Sequence, residues 1–167
     1  MKSLQNNSKE EAEKIIAQSK ICFVGFADTD GSPYVLPMNF GYHNSTIYLH
    51  SAPEGSHINI IERNNRVCIT FCVGDKLVHQ HPEVACSYRM RADSTLCRGK
   101  VVFVEDIEEK TAIMNVMMQH YVGRDFPYSL PAIRNVKVWK IAVESFSSRF
   151  FGLTHPEFLD LKENQQL

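Results

Sequence analysis

The sequence predicts a mainly β protein of the α+β class, with six or seven antiparallel strands in a closed or nearly closed barrel and three flanking helices. Short apolar segments recur along the 167-residue chain, and turn-forming residues separate them. Three other segments carry apolar residues at the spacing of an amphipathic helix. Short strands at this spacing are typical of barrels, which remove the exposed edges of a sheet.

The first predicted elements are a helix and a meander of three strands. Ser8 to Glu11 form a capping box, in which the serine side chain accepts from a helix N–H, so a helix begins here and runs to about Ser19. The strands are predicted over Ile21 to Asp28, Pro33 to Tyr42 and Thr46 to His50. An Asp-Gly turn separates the first two strands, as in many hairpins.

Two helices and four strands complete the prediction. One helix runs from His57 to about Asn64, and the other begins at Asp106, carries an apolar stripe and ends before Gly123. The strands are predicted over Arg66 to Val73, Val84 to Met90, Leu96 to Glu105 and Lys137 to Glu144. We expect a single domain over residues 1–156 and a polar tail over 157–167.

Charge and apolar patterning exclude two classes of partner. The formal net charge is -1 and the 18 Lys and Arg residues are scattered, whereas a nucleic-acid surface needs them clustered. The longest apolar run, Ile21 to Ala27, is too short to cross a bilayer, and the N-terminus lacks the apolar stretch of a signal peptide. We therefore expect a cytoplasmic protein that binds neither nucleic acid nor membrane.

Cysteine and histidine spacing does not predict a metal site. Cys68 and Cys72 would share one face of a strand, either as a metal or redox pair or as small buried hydrophobes in a reducing compartment, which we favour for the five cysteines. His79 and His81 have a ligand-like spacing, but no third ligand lies nearby in the sequence. We expect no bound metal.

Three segments are candidates for a binding site. Residues 50–57 leave a strand and enter a helix, whose free N–H groups could bind a phosphate; the alternative is an ordinary helix capped by Ser51 and Glu54. Residues 37–41 place Pro37 inside a strand, which indicates an edge or a bulge where a planar ligand could stack, or simply an edge facing solvent. Residues 87–94 hold two arginines suited to a phosphate, or form a solvated charged loop.

Taken in order, these segments resemble the pyridoxamine 5'-phosphate oxidase-like split barrels, and within them the nitroimidazole-resistance (Nim-type) flavoproteins. The resemblance covers about residues 9–149. The matching segments are Pro37-Met38-Asn39-Phe40-Gly41-Tyr42, Ile47 to Gly55, Asn64 to Cys68, Ala85 to Arg91 with Ser94, Arg98-Gly99-Lys100 and His120 to Arg124.

The resemblance implies a split β-barrel homodimer with FMN in clefts between the subunits. The isoalloxazine ring would lie along Pro37, Met38, Asn39 and Phe40, and His50 would face the flavin. The phosphate side would be formed by Ser51, Ala52, Gly55, Ser56 and His57, with Arg91 and Ser94 also near the phosphate. Members of the family commonly have Lys at the position of His57, so here the charge depends on pH.

The resemblance also implies an FMN-dependent oxidoreductase that reduces nitroimidazole or related nitroaromatic compounds. A small-molecule donor such as a nicotinamide would supply the electrons. Two alternatives remain open at this point: a non-catalytic flavin- or haem-binding protein, and a structural dimer that has lost its cofactor. No catalytic side chain is predicted, because none stands out as a proton donor.

Overall fold

The computed structural model describes residues 3–154, 156, 157 and 162, and in this part of the chain eight strands form one sheet beside four helices. The strands are β1 Ser3–Asn6, β2 Cys22–Ala27, β3 Pro33–Met38, β4 Gly41–His43, β5 Thr46–Ser51, β6 Arg66–Val78, β7 Arg89–Val104 and β8 Lys137–Phe151. The helices are α1 Lys9–Gln18, α2 Ser56–Arg63, α3 Ile107–Val122 and α4 Leu130–Arg134.

The sheet is open. Its strand order is β3-β2-β6-β7-β8-β5-β4, with β1 paired to β8 away from this path. The pairs β1–β8, β2–β3, β4–β5 and β5–β8 are all antiparallel. The predicted mainly β class and the split-barrel fold are thus confirmed, with β3 and β4 at the two ends of the strand order. No helix in the described residues has both the length and the apolar character that a membrane span requires.

The chain forms two compact units. The smaller unit comprises residues 1–19, 71–96 and 146–167, and the larger unit comprises residues 20–70 and 97–145. Strands β6, β7 and β8 each contribute residues to both units. The single domain predicted over residues 1–156 stays a prediction, and residues 158–161 and 163–167 of the predicted tail lie outside the described residues.

In the larger unit the core lies between β2, β5, β8 and α3. Leu49 and Ile47 of β5 stand opposite Trp139 and Ile141 of β8, and all four side chains are almost fully buried. The predicted apolar stripe of α3 is a core face, since Ile113 and Met117 are buried. Gly41 permits this packing, because a Cβ there would lie 2.9 Å from Cγ of Met117.

In the smaller unit α1 and β1 cover the end of β8. The side chain of Ser8 accepts a hydrogen bond from the Glu11 N–H at 3.2 Å, as the predicted capping box requires. Ala12, Ile15 and Ile16 form the buried face of α1. Leu4 of β1 pairs with Phe150 of β8, and the hydroxyl groups of Ser148 and Thr95 form a buried hydrogen bond of 3.1 Å.

The prediction is wrong over residues 84–88. A short 3-10 helix, Ala85–Ser87, replaces the predicted strand there, and β7 begins at Arg89 as one long strand. The cause is local hydrogen bonding. The Ser87 hydroxyl donates to the His81 carbonyl oxygen and accepts from the His81 N–H, while the Tyr88 hydroxyl donates to the Pro82 carbonyl oxygen. These bonds fold the segment back on itself.

Other boundaries also differ from the prediction. The predicted strand over residues 33–42 is two strands, because the Phe40 N–H donates to the Tyr121 hydroxyl at 3.0 Å instead of joining a strand ladder. Strand β8 extends to Phe151, where β1 pairs with it, and neither β1 nor α4 was predicted. The structure therefore has eight strands and four helices in its described residues, rather than six or seven and three.

The cysteines are buried only in part. All five are free thiols; Cys22 and Cys97 are buried, whereas Cys72 and Cys86 are exposed, so the expectation of buried hydrophobes is wrong for these two. Burial raises the pKa of Cys22 to about 12, and its Sγ donates to the Met38 carbonyl oxygen at 3.4 Å. Cys22 is therefore protonated and unreactive at neutral pH.

Candidate functional site

The first turn of α2 has no side-chain cap. Its N-cap is Gly55, with φ of 139°, and Ser51 donates its hydroxyl hydrogen to the Ala52 carbonyl oxygen at 2.8 Å. The capping box with Ser51 and Glu54 is therefore not formed. Gly55, Ser56 and the preceding residues 52–54 are exposed to solvent. An uncapped helix start of this kind presents N–H groups and the positive end of the helix dipole to an anion.

The imidazole of His57 folds back over this helix start. A Cβ at Gly55 would lie 2.8 Å from His57 Cε1, so only glycine leaves room for the ring. The other side of the ring packs against the indole of Trp139, with centroids 5.6 Å apart. His57 Nε2 is buried and has no hydrogen-bond partner among the described residues. Burial also lowers the pKa of His57 below its ordinary value.

Trp139 is a site residue that the sequence did not reveal. It is 0% exposed, and its Nε1 has no hydrogen-bond partner among the described residues. Its ring meets Phe26 and Phe103 edge-on, with centroids 6.1 Å and 6.3 Å away. The available signal was that it is the only tryptophan in the sequence and lies in an apolar strand. A buried tryptophan N–H normally has a partner.

His50 adds a third unsatisfied ring nitrogen. It pairs with Val138 in the β5–β8 ladder, so its side chain lies on the other face of the sheet from Trp139, and its Nδ1 is buried without a partner among the described residues. Burial lowers its pKa as well. We call Gly55, Ser56, His57 and Trp139 the α2 corner. Buried polar atoms nearly always have hydrogen-bond partners, so the two unsatisfied ring nitrogens of His57 and Trp139 at an open helix start indicate a site for a polar, anionic group.

The segment predicted to lie along a planar ligand is on an edge strand. Strand β3 ends the strand order, which confirms the edge that Pro37 indicated. Pro37 and Asn39 are exposed and Met38 is half-buried. Phe40 is 0% exposed, and its ring packs on His120 of α3 with centroids 4.5 Å apart. Pro37, Met38 and Asn39 are thus accessible to a ligand, whereas the Phe40 side chain belongs to the core.

An apolar surface adjoins this edge. In the β2–β3 ladder, Phe23 stands opposite Pro37 and Gly25 opposite Val35. Phe23 is 46% exposed and Val35 is 59% exposed, although both are large apolar side chains. We call this surface the β2–β3 outer face, comprising Ile21, Phe23, Gly25, Ala27, Pro33, Val35 and Pro37. It carries no charged side chain, which is unusual for a surface in contact with water.

Arg91 and Ser94 lie in the smaller unit, within β7 instead of a loop. The guanidinium of Arg91 is 3.5 Å from the Glu157 carboxylate, so its charge already has a partner. Burial raises the pKa of the adjacent Asp93, whose Oδ1 has no hydrogen-bond partner among the described residues. The role of Arg91 and Ser94 near a phosphate stays a prediction.

No metal centre is visible in the part of the chain that the structure describes. Within it, no group of three or more His, Cys, Asp and Glu side chains is arranged to hold an ion. His79 and His81, whose spacing in the sequence resembles that of metal ligands, are both exposed. The His79 ring stacks on Tyr88 with ring centroids 4.7 Å apart.

Comparison with known proteins identifies the family. The pyridoxamine 5'-phosphate oxidase family model matches residues 8–150. A candidate 5-nitroimidazole antibiotic resistance protein from Bacteroides thetaiotaomicron is 52% identical, with a TM-score of 0.81; the match covers 89% of this chain and 87% of that one. No curated protein matches the sequence.

Two more distant structures share the fold. The flavocytochrome Anf3 from Azotobacter vinelandii is 18% identical with a TM-score of 0.76, over 93% of this chain and 75% of that one. The FAD and heme binding protein from Mycobacterium smegmatis is 13% identical with a TM-score of 0.77, over 95% of this chain and 79% of that one. The chain belongs to the pyridoxamine 5'-phosphate oxidase family and is similar to a nitroimidazole-resistance protein within it.

Proposed function

We propose that this protein is a cytoplasmic, homodimeric FMN-binding oxidoreductase that reduces nitroimidazoles or related nitroaromatic compounds. The observation that carries the proposal is the α2 corner, where an uncapped helix start meets the ring nitrogens of His57 and Trp139, which are buried without a hydrogen-bond partner among the described residues. The similarity to a candidate nitroimidazole-resistance protein supports the substrate class. The five free thiols support a reducing compartment.

The α2 corner suits the phosphate of FMN. The N–H groups of the first turn of α2 would donate to the phosphate, and the Ser56 hydroxyl and His57 imidazole would add donors on the same side. Gly55 keeps the helix start accessible, since a side chain there would collide with His57. Each hydrogen bond to a charged group contributes about 1.5–3 kcal/mol, so a few would retain a phosphate monoester.

The exposed residues of the edge strand suit the ring of FMN. Pro37 and Asn39 offer a flat apolar surface and an amide, and Met38 lies half-buried between them. The flavin supplies the redox chemistry when it is bound, while these residues orient it and shield it from water. The neutral imidazole of His50, which is half-buried, would face the flavin as a hydrogen-bond donor or acceptor.

The β2–β3 outer face supports the homodimer. Its large apolar side chains are about half exposed in the single chain, and association would remove them from water. Pro37 belongs both to this face and to the segment proposed for the flavin ring. A partner that covers the face would therefore adjoin the cofactor, as expected for a cleft shared by two subunits.

The proposed reaction takes a hydride, which carries two electrons and one proton, from a reduced nicotinamide and one further proton from solvent, and converts a nitro group to a nitroso group and water. The donor is oxidised and the nitroaromatic compound is reduced, so the reaction needs no further reactant. Solvent supplies this proton, because burial lowers the pKa of both His50 and His57 and so leaves their imidazoles neutral at pH 7.

Purified protein tests this proposal. We expect a yellow protein that releases FMN on denaturation, as identified by mass spectrometry of the supernatant. Anaerobic addition of a reduced nicotinamide should bleach the flavin absorbance, and a nitroimidazole should restore it. If bound FMN stays unreduced by every donor, the protein is a non-catalytic flavin carrier; a haem absorption band in place of the flavin would contradict the cofactor.

A further inference from the structure

A second cleft lies at the other end of α2, and the proposed flavin site does not use it. The cleft has a volume of about 540 Å³, within the usual range of roughly 300–1,000 Å³ for small-molecule sites. It is lined at the end of α2 and the start of β6 by residues 61–66, and on β7 by Lys100, Val101 and Phe103.

The wall of this cleft is held by hydrogen bonds around the end of α2. Arg63 donates from Nε to Asp28 at 2.9 Å, and the Asn64 side chain donates to the Ala27 carbonyl oxygen at 2.8 Å. Asn65 bonds Val101 twice, through its side-chain amide and through its backbone carbonyl oxygen. A wall fixed in this way can bind a ligand without first becoming ordered.

Two cations in the cleft have no acidic partner in the part of the chain that the structure describes. Arg63 is paired with Asp28, and this hydrogen-bonded pair raises the pKa of Arg63. Among the described residues, by contrast, neither Arg66 nor Lys100 lies within ion-pair distance of a carboxylate. Asn65 directly precedes β6 and is hydrogen-bonded to Val101 of β7, so the neighbouring residues of the two strands, Arg66 and Lys100, lie close together. Glu62 is the one acidic residue in the lining and is exposed beside Arg63.

The remaining lining is apolar. Ile61 is 3% exposed, and the half-buried ring of Phe103 meets Trp139 edge-on with centroids 6.3 Å apart. Lys137 covers another part of the Phe103 ring, with Nζ 4.6 Å from the centroid and a hydrogen bond to Glu105. The cleft thus combines a pair of cations with an aromatic wall.

We propose that this cleft binds a nucleotide-type organic phosphate, with the phosphate between Arg66 and Lys100 and a planar base against Phe103. The Arg66 guanidinium can donate two parallel hydrogen bonds to a phosphate, and Lys100 adds a point charge. The apolar wall distinguishes such a ligand from inorganic phosphate.

Isothermal titration of the full-length FMN-loaded protein with AMP, pyrophosphate and adenosine tests the proposal. We expect AMP to bind more tightly than pyrophosphate, and adenosine to bind weakly. The double variant Arg66→Gln/Lys100→Gln should weaken AMP binding by roughly 100-fold, as expected for the loss of two charge-assisted contacts. Phe103→Leu should weaken AMP binding and leave pyrophosphate binding unchanged.

A matched control removes the same charges elsewhere. Lys20 and Arg134 are exposed, lie in the same unit and do not line the cleft, so Lys20→Gln/Arg134→Gln should keep the AMP affinity within about twofold. Equal weakening in both double variants would overturn the proposal, since binding would then follow net charge alone. Absence of AMP binding, or pyrophosphate binding as tight as AMP binding, would overturn it too.

The FMN content of the variants separates this inference from the proposed function. Arg66→Gln/Lys100→Gln should retain FMN at the wild-type level. Loss of FMN in that variant would show that the cleft is the cofactor site, which overturns the second site. As a local readout, AMP should change the fluorescence of Trp139, the only tryptophan in the chain, through its contact with Phe103.

Discussion

His57 differs from the lysine expected at its position in that its charge depends on pH. Burial lowers its pKa below the ordinary value of 6.5, so the imidazole is neutral at pH 7 and becomes cationic only in more acidic solution. A cation binds the FMN phosphate better than a neutral ring does. FMN affinity of the wild type, relative to His57→Lys, should therefore rise by about tenfold from pH 7.5 to pH 5.

Fluorescence titration of FMN at several pH values measures this ratio. The phosphate of FMN titrates in the same range, with a pKa of about 6, but it does so equally in both proteins. The His57→Lys variant is therefore the control. A ratio that stays constant across the pH range would exclude His57 from the phosphate site.

The hydroxyl group of Tyr121 is expected to stabilise the fold. Its hydroxyl accepts from the Phe40 N–H and donates to the Lys20 carbonyl oxygen, both at 3.0 Å. Tyr121→Phe removes both of these hydrogen bonds, so the free energy of unfolding should fall by about 1–3 kcal/mol. Tyr34→Phe is the control, because the Tyr34 hydroxyl has no hydrogen bond among the described residues. Equal urea denaturation midpoints for the two variants would contradict this account.

Individual site residues were predicted from the sequence only where their role depends on their own chemistry. Pro37 correctly indicated an edge strand, because proline has no backbone N–H to donate to a neighbouring strand and this can be read directly from the sequence. The packing of His57 against Trp139, 82 positions along the chain, depends on the pairing of β5 with β8. No local pattern encodes that pairing, so Trp139 was not predicted as a site residue.

The start of α2 is the element on which the proposed site depends most. Gly55 has φ of 139°, and a Cβ there would also collide with His57, whereas Gly31 has φ of 85° and open space around it. Gly55→Ala and Gly31→Ala should both lower the free energy of unfolding by about 1–2 kcal/mol, because both place a side chain at positive φ. Only Gly55→Ala should weaken FMN binding, since it displaces His57.

Thermal unfolding measures the stability of the two glycine variants, and titration with FMN measures their cofactor affinity. Equal FMN affinities would show that the position of His57 at the helix start does not matter for the cofactor.

Helices that begin at a capping residue in their own sequence were predicted well. The caps of α1 and α3 lie in their own sequences, and Ser8 and Asp106 accept the expected backbone hydrogen bonds. Strand β1 and the end of β8 pair residues about 145 positions apart, so nothing near Leu4 or Phe150 in the sequence indicated a strand. The strand predicted around Ser87 was wrong, because a short apolar run does not reveal the side-chain hydrogen bonds that form within it.

At the scale of the whole molecule, the β2–β3 outer face predicts the assembly. Val35 is 59% exposed on this face, and Val122 is 52% exposed at the end of α3. Val35→Glu should convert the proposed dimer to a monomer and lower FMN content, because a charge in the proposed apolar interface would lose its hydration without gaining a partner. Val122→Glu, the same change at similar exposure, should do neither. Analytical ultracentrifugation gives the mass, and a dimeric Val35→Glu protein would contradict this interface.

The family was predictable from the sequence because its signature is an ordered set of segments along the chain, and the family model matches the same region, residues 8–150. The mainly β class and the split-barrel fold followed from the same resemblance and are confirmed. The division of β6, β7 and β8 between two compact units was not predicted from the sequence, because each strand crosses the division without a break.

The central claim is that the start of α2 binds the phosphate of the cofactor. Titration of flavin-free protein with FMN and with riboflavin tests it most directly, because the two ligands share the isoalloxazine ring and differ only in the phosphate. We predict that FMN binds at least about 100-fold more tightly, the equivalent of roughly 2.7 kcal/mol from a few charge-assisted hydrogen bonds. Equal affinities for FMN and riboflavin would contradict the account.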